Sequence, residues 1–413
     1  MNIKVLHIVA GDISGGAARG AYWLHLGLSE LGIDSKILTN SKETFGDKNV
    51  ISVKTNTKSK ILCMARGQID ILPPLLYQNR KKVIFSTGFM GFDFTKRKEY
   101  EEADIIHLHW INNGFVNIKH LQKISKPVIW TMRDMWPMTG GCHYSMECER
   151  YKIGCGKCTQ LNSSHGYDLS KVVLNRKEKY MPKKIKFVGI SNWLSEKSKQ
   201  SFLLRNLDVR TIHNNINTRD FFPIDKQFAR KILGISTDKK IIFAGAQNIN
   251  DFYKGFGKFI KAIKLLDKNK YCLCFFGRLH TGVIDPLGFE YVNFGFLHDN
   301  ISLRLLYSAA DVFVAPSLMD AFGKTLAESM ACGTPVVCFN ATGPKDIVDH
   351  LINGYKATPF DSSDLAEGIR WVLNSPDYTA LSRNAREKVL RCFDSKVVAK
   401  KYIELYKSVL DEL

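Results

Sequence analysis

Short apolar runs alternate with amphipathic stretches along most of the chain. Runs such as 4–10 (KVLHIVA) and 240–246 (KIIFAGA) are almost continuously apolar, as expected of strands that are buried on both faces of a sheet. Stretches such as 18–32 and 301–310 instead place apolar residues at helical spacing. This alternation predicts parallel sheets covered by helices. The predicted strands are 4–10, 35–39, 104–110, 127–132, 186–191 and 209–214, then 240–246, 271–277, 290–296, 311–317 and 335–340.

The strands fall into two series, which together predict two domains. A chain of 413 residues is too long for one hydrophobic core. The stretch between the two series is polar and carries Asn, Asp and Pro, which is typical of a domain boundary. The predicted fold is therefore α/β, with two Rossmann-like, doubly wound domains. The predicted bounds are 1–218 for the first domain, with a cysteine-rich insertion at 140–160, 219–392 for the second, and 393–413 for a final amphipathic helix.

The formal net charge of +19 raises the question of an anionic partner. Basic residues cluster in 78–85, 95–102 and 175–186, but acidic residues are interleaved in two of these clusters. No RNP or C₂H₂ pattern occurs, so we expect no nucleic-acid partner. Two interpretations of the positive charge remain: the basic surface meets only solvent, or it rests on anionic lipid headgroups.

The apolar content of 45% is ordinary for a globular protein. The sequence contains no run of 18 apolar residues, so no transmembrane helix is predicted. The start, 1–16, lacks a small-residue cleavage site and runs into glycines, so it predicts a first strand rather than a signal peptide. We therefore expect a cytoplasmic protein that acts in the cytoplasm or at the cytoplasmic face of the inner membrane. Its ten cysteines are then expected to be mostly thiols.

The segment that follows strand 311–317 predicts an anion site. Ligands of open α/β sheets bind at the carboxyl ends of strands, where the free N–H groups of a helix N-terminus favour anions. A loop with Asp320 and Gly323 stands at this position, and Gly323 lets the backbone approach a phosphate closely. Thr325 adds a hydroxyl, and Glu328 can bind sugar hydroxyls. The predicted helix is Lys324–Ala331, with Leu326, Met330 and Ala331 buried.

The same segment resembles the retaining glycosyltransferases of family 4, which have the GT-B fold. Their signature is an acid, seven residues and a Glu around an FG-x-T core, here Asp320, Phe322-Gly323-Lys324-Thr325 and Glu328, followed by MACGTPVV. The resemblance implies two domains that face a cleft, with the last helix crossing back to the first domain. It also implies that the first acid faces the transferred sugar, the loop amides hold the diphosphate, and the second acid holds the nucleotide ribose. The family usually has Glu where this chain has Asp320.

Two further loops match the family at the donor site. The stretch 244–263 resembles the segment whose lysine meets the diphosphate, which maps to Lys254, and a cation there stabilises the charge of the leaving group. The arginine that the family often has just after the strand is replaced by Ala246 and Gln247, and Arg278 could substitute for it. The resemblance also makes Gly15 and Gly16 part of a glycine loop near donor phosphate or acceptor; a plain tight turn is the alternative.

The stretch 130–158 resembles a subgroup of family 4 from bacterial surface-polysaccharide pathways, including colanic-acid, exopolysaccharide and O-antigen transferases. That subgroup typically reads HDMWPxTGGCHY, and this chain has Arg133-Asp134 in place of His-Asp. The histidine faces the donor sugar in related enzymes, so the resemblance implies that Arg133 and Asp134 are among the catalytic residues. An arginine cannot accept a proton at neutral pH, so Arg133 is expected to supply a charge to donor or acceptor rather than act as a base.

Four cysteines follow within 17 residues: Cys142, Cys148, Cys155 and Cys158. In a reducing compartment a tetrahedral structural zinc explains such a group more easily than two disulfides, and His143 is a spare ligand. The spacing matches no standard zinc finger, so free or reversibly oxidised thiols remain the alternative. The apolar segment 61–77, flanked by basic residues, is open to two interpretations as well: an interfacial segment beside a lipid-linked acceptor, or core packing.

The resulting hypothesis is a retaining glycosyltransferase that moves a sugar from a UDP- or GDP-sugar to a growing, lipid-linked bacterial glycan. The resemblance implies front-face transfer, in which the departing phosphate takes the acceptor proton, and no catalytic metal is expected because no Asp-x-Asp pair is present. The alternatives are a catalytically silent nucleotide-sugar-binding subunit and a phosphorylase or synthase of the same fold.

Overall fold

The computed structural model describes residues 3–11, 15–41, 46–81, 83–279, 281–297 and 299–412. The chain divides into two compact units. Unit 1 consists of Met1–His213 and Val398–Leu413, and unit 2 of Asn214–Val397. Each unit contains one parallel sheet, so the two series of strands in the sequence form two separate sheets, as predicted.

Unit 1 is built on a seven-stranded parallel sheet whose first strand lies in its interior. Its elements in chain order are β1 (Lys4–Val9), α1 (Gly16–Glu30), β2 (Asp34–Thr39), β3 (Val50–Ser52), α2 (Thr57–Leu75), α3 (Lys98–Glu102), β4 (Ile105–Leu108), β5 (Val128–Met132), α4 (Leu169–Tyr180), β6 (Ile185–Gly189), α5 (Asn192–Lys199) and β7 (Val209–Thr211). The strand order is β3-β2-β1-β4-β5-β6-β7.

Unit 2 is built on a six-stranded parallel sheet of the same kind. Its elements are α6 (Lys226–Ile232), β8 (Lys240–Asn248), α7 (Phe256–Ile263), β9 (Tyr271–Arg278), β10 (Glu290–Asn293), α8 (Asn300–Ala309), β11 (Val312–Ala315), α9 (Lys324–Ala331), β12 (Val336–Phe339), β13 (Gly354–Ala357), α10 (Ser362–Leu373) and α11 (Tyr378–Cys392). The strand order is β10-β9-β8-β11-β12-β13.

A last helix, α12 (Ser395–Asp411), completes the core of unit 1. Its apolar side chains Tyr402, Leu405 and Tyr406 are buried with Leu24 of α1 and Ile129 of β5 in one cluster. The amphipathic pattern of the C-terminal stretch is therefore used to cover a sheet, because a helix with one apolar face is stable only when that face is packed.

The order of the strands reverses at one place in each sheet. In unit 1 the chain leaves β1 toward β2 on one side and returns with β4 on the other; in unit 2 the same happens with β8, β9 and β11. Loops that leave the carboxyl ends of two such strands diverge and create a crevice, which is where open α/β sheets bind ligands. Ligand sites are therefore expected at the carboxyl ends of β1 and β4 in unit 1 and at the carboxyl ends of β8 and β11 in unit 2.

Two strands differ from the sequence-based expectation, since β3 and β13 were absent from the predicted set. Helix α2 contains Pro73 and Pro74 in its last turn, where each removes one hydrogen bond close to the end of the helix. The carbonyl oxygen of Asp70, to which Pro74 cannot donate, accepts from the Thr87 hydroxyl over 3.2 Å instead. None of the described helices is long and apolar enough to cross a membrane.

Candidate functional site

The switch point of unit 2 brings together two residues that are 66 positions apart. Lys254 follows β8 and Asp320 follows β11, and these strands are neighbours in the sheet. The Lys254 ammonium donates a hydrogen bond to Asp320 Oδ2 over 2.8 Å, and both side chains are largely buried. The predicted diphosphate lysine and the predicted sugar-facing acid thus form one ion pair at the carboxyl edge of the sheet.

The second oxygen of the Asp320 carboxylate accepts hydrogen bonds from two backbone amides of the same loop. Phe322 N–H lies 3.2 Å and Gly323 N–H 3.0 Å from Oδ1. Burial alone would raise the pKa of Asp320, but the Lys254 charge and these amides outweigh it and hold the pKa below its ordinary value. The amides predicted to hold a diphosphate are therefore occupied by an internal carboxylate in this structure.

Two glycines let the loops approach each other. Gly255 and Gly323 have φ of 69° and 96°, a left-handed conformation that favours glycine. A Cβ atom at Gly255 would lie 1.9 Å from the carbonyl oxygen of Pro316, so the loop after β8 fits against the loop after β11 only because this side chain is missing. The amides of Leu318 and Met319 donate to Tyr253 O, which fixes this contact.

Helix α9 has the bounds and the buried residues that the sequence predicts, since Leu326, Met330 and Ala331 are fully buried. The Glu328 carboxylate, only 1% exposed, accepts a hydrogen bond from the Tyr307 hydroxyl over 3.0 Å and lies 3.6 Å from the Lys324 ammonium. The predicted ribose ligand is therefore covered by two side chains of its own unit. A ligand that reaches this carboxylate has to displace Lys324 or share it.

The remaining residues predicted for donor binding differ in exposure. The Phe322 ring is buried and meets Phe393 edge to face, so only its backbone is available to a ligand. Thr325 is half-buried in the first turn of α9. In unit 1, Gly15 is the extended residue before α1 and Gly16 opens the helix with no atom within 4 Å of a Cβ built on it. Residues 12–14 of the predicted glycine loop lie outside the described residues.

The switch point of unit 1 holds a buried group that the sequence reading missed. His7 of β1 and His109, just after β4, lie beside Arg133. Arg133 donates from Nη2 to His109 Nδ1 over 3.1 Å, and His109 Nε2 lies 2.9 Å from His7 Nδ1. Because a guanidinium can only donate, His109 carries its proton on Nε2 and passes a hydrogen bond to His7. Burial lowers the pKa of Arg133 to about 10, so it stays charged at neutral pH and cannot act as a base, as predicted.

These imidazoles do not suit a metal ion, although one nitrogen each of His7, His107 and His109 lies within 4.8 Å of the others. His107 is already bonded on both sides, to the Tyr406 hydroxyl and to Thr131 Oγ1, each over 2.7 Å. Arg133 adds a positive charge at the same place. Burial, together with the Arg133 charge, holds the pKa of each of the three histidines well below 6.5, so all three are neutral.

Asp134, predicted as catalytic with Arg133, has both oxygens in structural hydrogen bonds. One oxygen accepts from Trp136 N–H over 2.8 Å, and the other from the Trp110 indole over 3.0 Å and from His143 Nδ1 over 2.6 Å. His143 Nε2 in turn lies 2.9 Å from the Ser86 hydroxyl. Both nitrogens of His143 are engaged in hydrogen bonds in this structure, so zinc ligation by His143 would require one of these bonds to break.

The four cysteines of the insertion line one small cavity of about 20 Å³, and each is a free thiol. Among the described residues the four sulfurs do not form a group close enough to hold a metal ion. Burial raises the pKa of Cys142 and Cys158 and raises that of Cys155 to about 11. The structure thus gathers Cys142, Cys148, Cys155 and Cys158 around one space, and burial favours the protonated thiol at three of them.

Helix α2 exposes apolar side chains instead of burying them. Within it the structure buries only Gly67, Asp70 and Pro74. The exposed apolar residues of α2 and the segment that follows are Ile61, Leu62, Met64, Ile69, Ile71, Leu72, Leu75, Leu76, Val83 and Ile84. Of the two interpretations of 61–77, core packing is excluded, because a helix of the core would bury these side chains.

Comparisons with known proteins agree with this architecture. The family model described as "Glycosyl transferases group 1" matches residues 225–388, which lie in unit 2. An uncharacterized glycosyltransferase of Methanocaldococcus jannaschii is 27% identical over 341 residues, 78% of each chain. The N,N'-diacetylbacillosaminyl-diphospho-undecaprenol alpha-1,3-N-acetylgalactosaminyltransferase of Campylobacter jejuni is 27% identical over 203 residues. That match covers 47% of this chain and about half, 53%, of the relative.

A solved structure shows the same fold over the whole chain. The Anabaena protein HepE, crystallised with UDP and glucose, superposes with a TM-score of 0.65 at 18% sequence identity. The superposition covers 98% of this chain and 100% of HepE. The likeness therefore includes both parallel sheets.

Proposed function

Because this chain belongs to the group 1 glycosyltransferases, we propose that it is a retaining enzyme that transfers a sugar from a UDP- or GDP-sugar to a lipid-linked bacterial glycan. The predicted family and the predicted GT-B fold, with its two Rossmann-like sheets, are confirmed. Residues 130–158 resemble exopolysaccharide and O-antigen transferases. The proposal therefore places the reaction in a surface-polysaccharide pathway.

The observation that carries the proposal is the ion pair between Lys254 and Asp320 at the switch point of unit 2. A cation and two loop amides already hold one carboxylate there, so the place is built for an anion. In the proposed reaction the donor diphosphate takes over Lys254 and the first turn of α9, and the Asp320 carboxylate turns to the transferred sugar. Lys254 then stabilises the charge that builds up on the leaving nucleoside diphosphate.

The retaining course needs no protein nucleophile in this proposal. The leaving phosphate oxygen takes the proton of the acceptor hydroxyl as the new glycosidic bond forms on the same face of the sugar. His107 and His109 each have both ring nitrogens in hydrogen bonds, so neither imidazole is assigned the role of a base. Arg133 and Asp134 act as positioning residues in unit 1, and Glu328 becomes the ribose ligand when Lys324 is drawn to the phosphate.

Two points support a lipid-linked acceptor. The Campylobacter relative is named for a diphospho-undecaprenol substrate, and α2 exposes an apolar surface that water does not favour. The proposal includes peripheral contact of this surface with the inner membrane. It also includes a structural zinc at the four cysteines, whose thiols suit zinc chemically but have to move closer, since tetrahedral zinc takes sulfur at about 2.3 Å.

A thermal-shift screen with UDP- and GDP-sugars tests the donor. We expect one nucleotide sugar to raise the melting temperature of the wild type but not of Lys254→Ala, since only a bound donor stabilises the fold by mass action. The purified protein with that donor should then hydrolyse it slowly or transfer its sugar. Binding with neither hydrolysis nor transfer would identify a silent subunit. Phosphate-dependent release of a sugar phosphate would identify a phosphorylase.

A further inference from the structure

Unit 1 contains a cavity of about 260 Å³ beside helix α2. Its walls come from α2 itself, from the segment that follows it, from the loop after β4 and from the end of the cysteine-rich insertion. The residues that matter for its chemistry are Ile71, Leu75, Arg80, Lys81, Trp110 and Gln160. None of the site residues described for the donor lies in it.

We propose that this cavity, called here the α2 cavity, binds the glycosyl phosphate headgroup of a lipid-linked acceptor while the apolar side of α2 rests in the bilayer interface. The inference deepens the proposed function and rests on it. It assigns three chemical properties to the ligand: a hydroxyl donor, a negative charge and an attached apolar chain. Each property follows from a different wall.

The hydroxyl donor is required by Gln160. This side chain is only 2% exposed, and its Nε2 donates to Ser145 O over 3.2 Å. A carbonyl oxygen can only accept, so the amide orientation is fixed and Oε1 is the free end. Among the described residues none donates to this buried oxygen. A buried acceptor without a donor is unfavourable, and a sugar hydroxyl in the α2 cavity, which Gln160 lines, supplies the missing donor.

The negative charge is required by Arg80 and Lys81. Neither forms an ion pair with any residue that the structure describes. The acidic residue of the lining, Asp70, is already bonded to the Thr87 hydroxyl over 2.5 Å and to Phe89 N–H over 3.0 Å. The cations therefore leave the wall net positive, which suits phosphate.

The apolar chain is required by the surface next to the opening. Ile71 and Leu75 line the α2 cavity and are also exposed, so the cavity wall continues into the apolar surface of α2, where Leu76 is 83% and Ile61 60% exposed. Basic side chains flank this surface and attract anionic lipid headgroups. Trp110, whose indole is held by Asp134, gives the cavity the aromatic wall common in ligand pockets.

Vesicle flotation of the full chain tests the assignment independently of donor chemistry. The vesicles are phosphatidylcholine containing a polyprenyl-diphosphate-linked sugar, the same lipid without the sugar, or phosphatidylglycerol instead. We expect the first to bind the wild type at least tenfold more tightly than the second, and Gln160→Met to remove this difference. Arg80→Ala, a change at a half-buried side chain, should fold like the wild type and weaken binding to both diphosphate lipids. Lys264→Ala on unit 2 is the matched control and should change nothing.

Other results overturn the proposal. Equal binding to phosphatidylglycerol and to the sugar lipid, unaffected by Gln160→Met, would mean that only surface charge is recognised. If the wild type bound soluble glucose 1-phosphate as tightly as the sugar lipid, the cavity would be a site for a soluble sugar phosphate. If the donor screen fails while flotation shows the sugar-dependent difference, the α2 cavity stands and the proposed donor reaction falls.

Discussion

The Lys254 ammonium lies 2.8 Å from the Asp320 carboxylate, and this pair closes the gap between the loops after β8 and β11. The same carboxylate accepts hydrogen bonds from the two loop amides that are proposed to bind phosphate. Asp320 thus occupies, in this structure, the anion position that the donor has to enter. An anionic ligand that binds here replaces the Asp320 carboxylate as the partner of Lys254. Lys254 is therefore paired with an anion both before and after binding.

Replacing Asp320 by Asn separates anion competition from catalysis. Asn keeps the shape and can still accept the loop amides, but it removes the charge that competes for Lys254. We expect Asp320→Asn to bind the free nucleoside diphosphate several-fold more tightly while transfer falls about 100-fold, because the charge beside the sugar is lost. Isothermal titration and initial rates measure the two effects. Asp320→Glu, the residue common in the family, should retain transfer; equal loss in Asn and Glu variants would point to the loop geometry instead.

Removing Lys254 should weaken both binding and transfer. Without its charge the leaving diphosphate is stabilised less, and we expect kcat of Lys254→Ala to fall about 100-fold or more and the nucleoside diphosphate affinity to fall with it. Lys254→Arg should keep part of both, since the charge remains. Lys264→Ala, an exposed lysine of the same unit, is the matched control. Unchanged nucleotide affinity in Lys254→Ala would remove this lysine from the donor site.

The sequence predicted the strands around both switch points because these are buried, continuously apolar runs. It missed β3 and β13, since a three-residue edge strand and the half-polar Gly354–Ala357 have no such run. At the proposed donor site it predicted Lys254, Asp320 and helix α9, whose motifs are local. The capture of the loop amides by Asp320 depends on the fold of the loop, which spacing does not give.

The histidine group illustrates the other limit. His107 and His109 alternate on one strand, so the sequence could have placed them on one face. Their partner His7 lies about a hundred residues away, and it becomes a neighbour only because β1 pairs with β4 across the switch point. That pairing follows from topology, and the role of Arg133 as the donor to His109 follows from the pairing.

The cysteine cavity makes a prediction about metal content. If zinc binds, the thiols of Cys142, Cys155 and Cys158 lose protons that burial now favours, so binding releases protons and should tighten as pH rises. We expect about one zinc ion per chain by elemental analysis after reducing purification, and a lower melting temperature after chelation. Cys142→Ser should lose the metal and Cys392→Ser, a partly exposed cysteine of α11, should keep it. Zinc-free protein with four titratable thiols and an unchanged melting temperature contradicts the zinc proposal.

The buried histidines predict how stability depends on pH. The pKa of His7, His107 and His109 is well below 6.5 in the folded state and close to 6.5 once the chain unfolds, so the unfolded state binds more protons on acidification. Their contribution is complete above pH 6.5 and is lost as pH falls below it. Asp320 also has a depressed pKa in the folded state, so its contribution to stability is complete above its ordinary pKa near 3.8 and is lost only below it.

Urea unfolding should therefore show that the free energy of unfolding falls between pH 7 and pH 5, before the titration of Asp320 has any effect. His7→Asn should flatten this slope, whereas Asp320→Asn should change only the part below about pH 4. A free energy that stays level from pH 7 to pH 5 would mean that these imidazoles are charged or open to water in the folded protein.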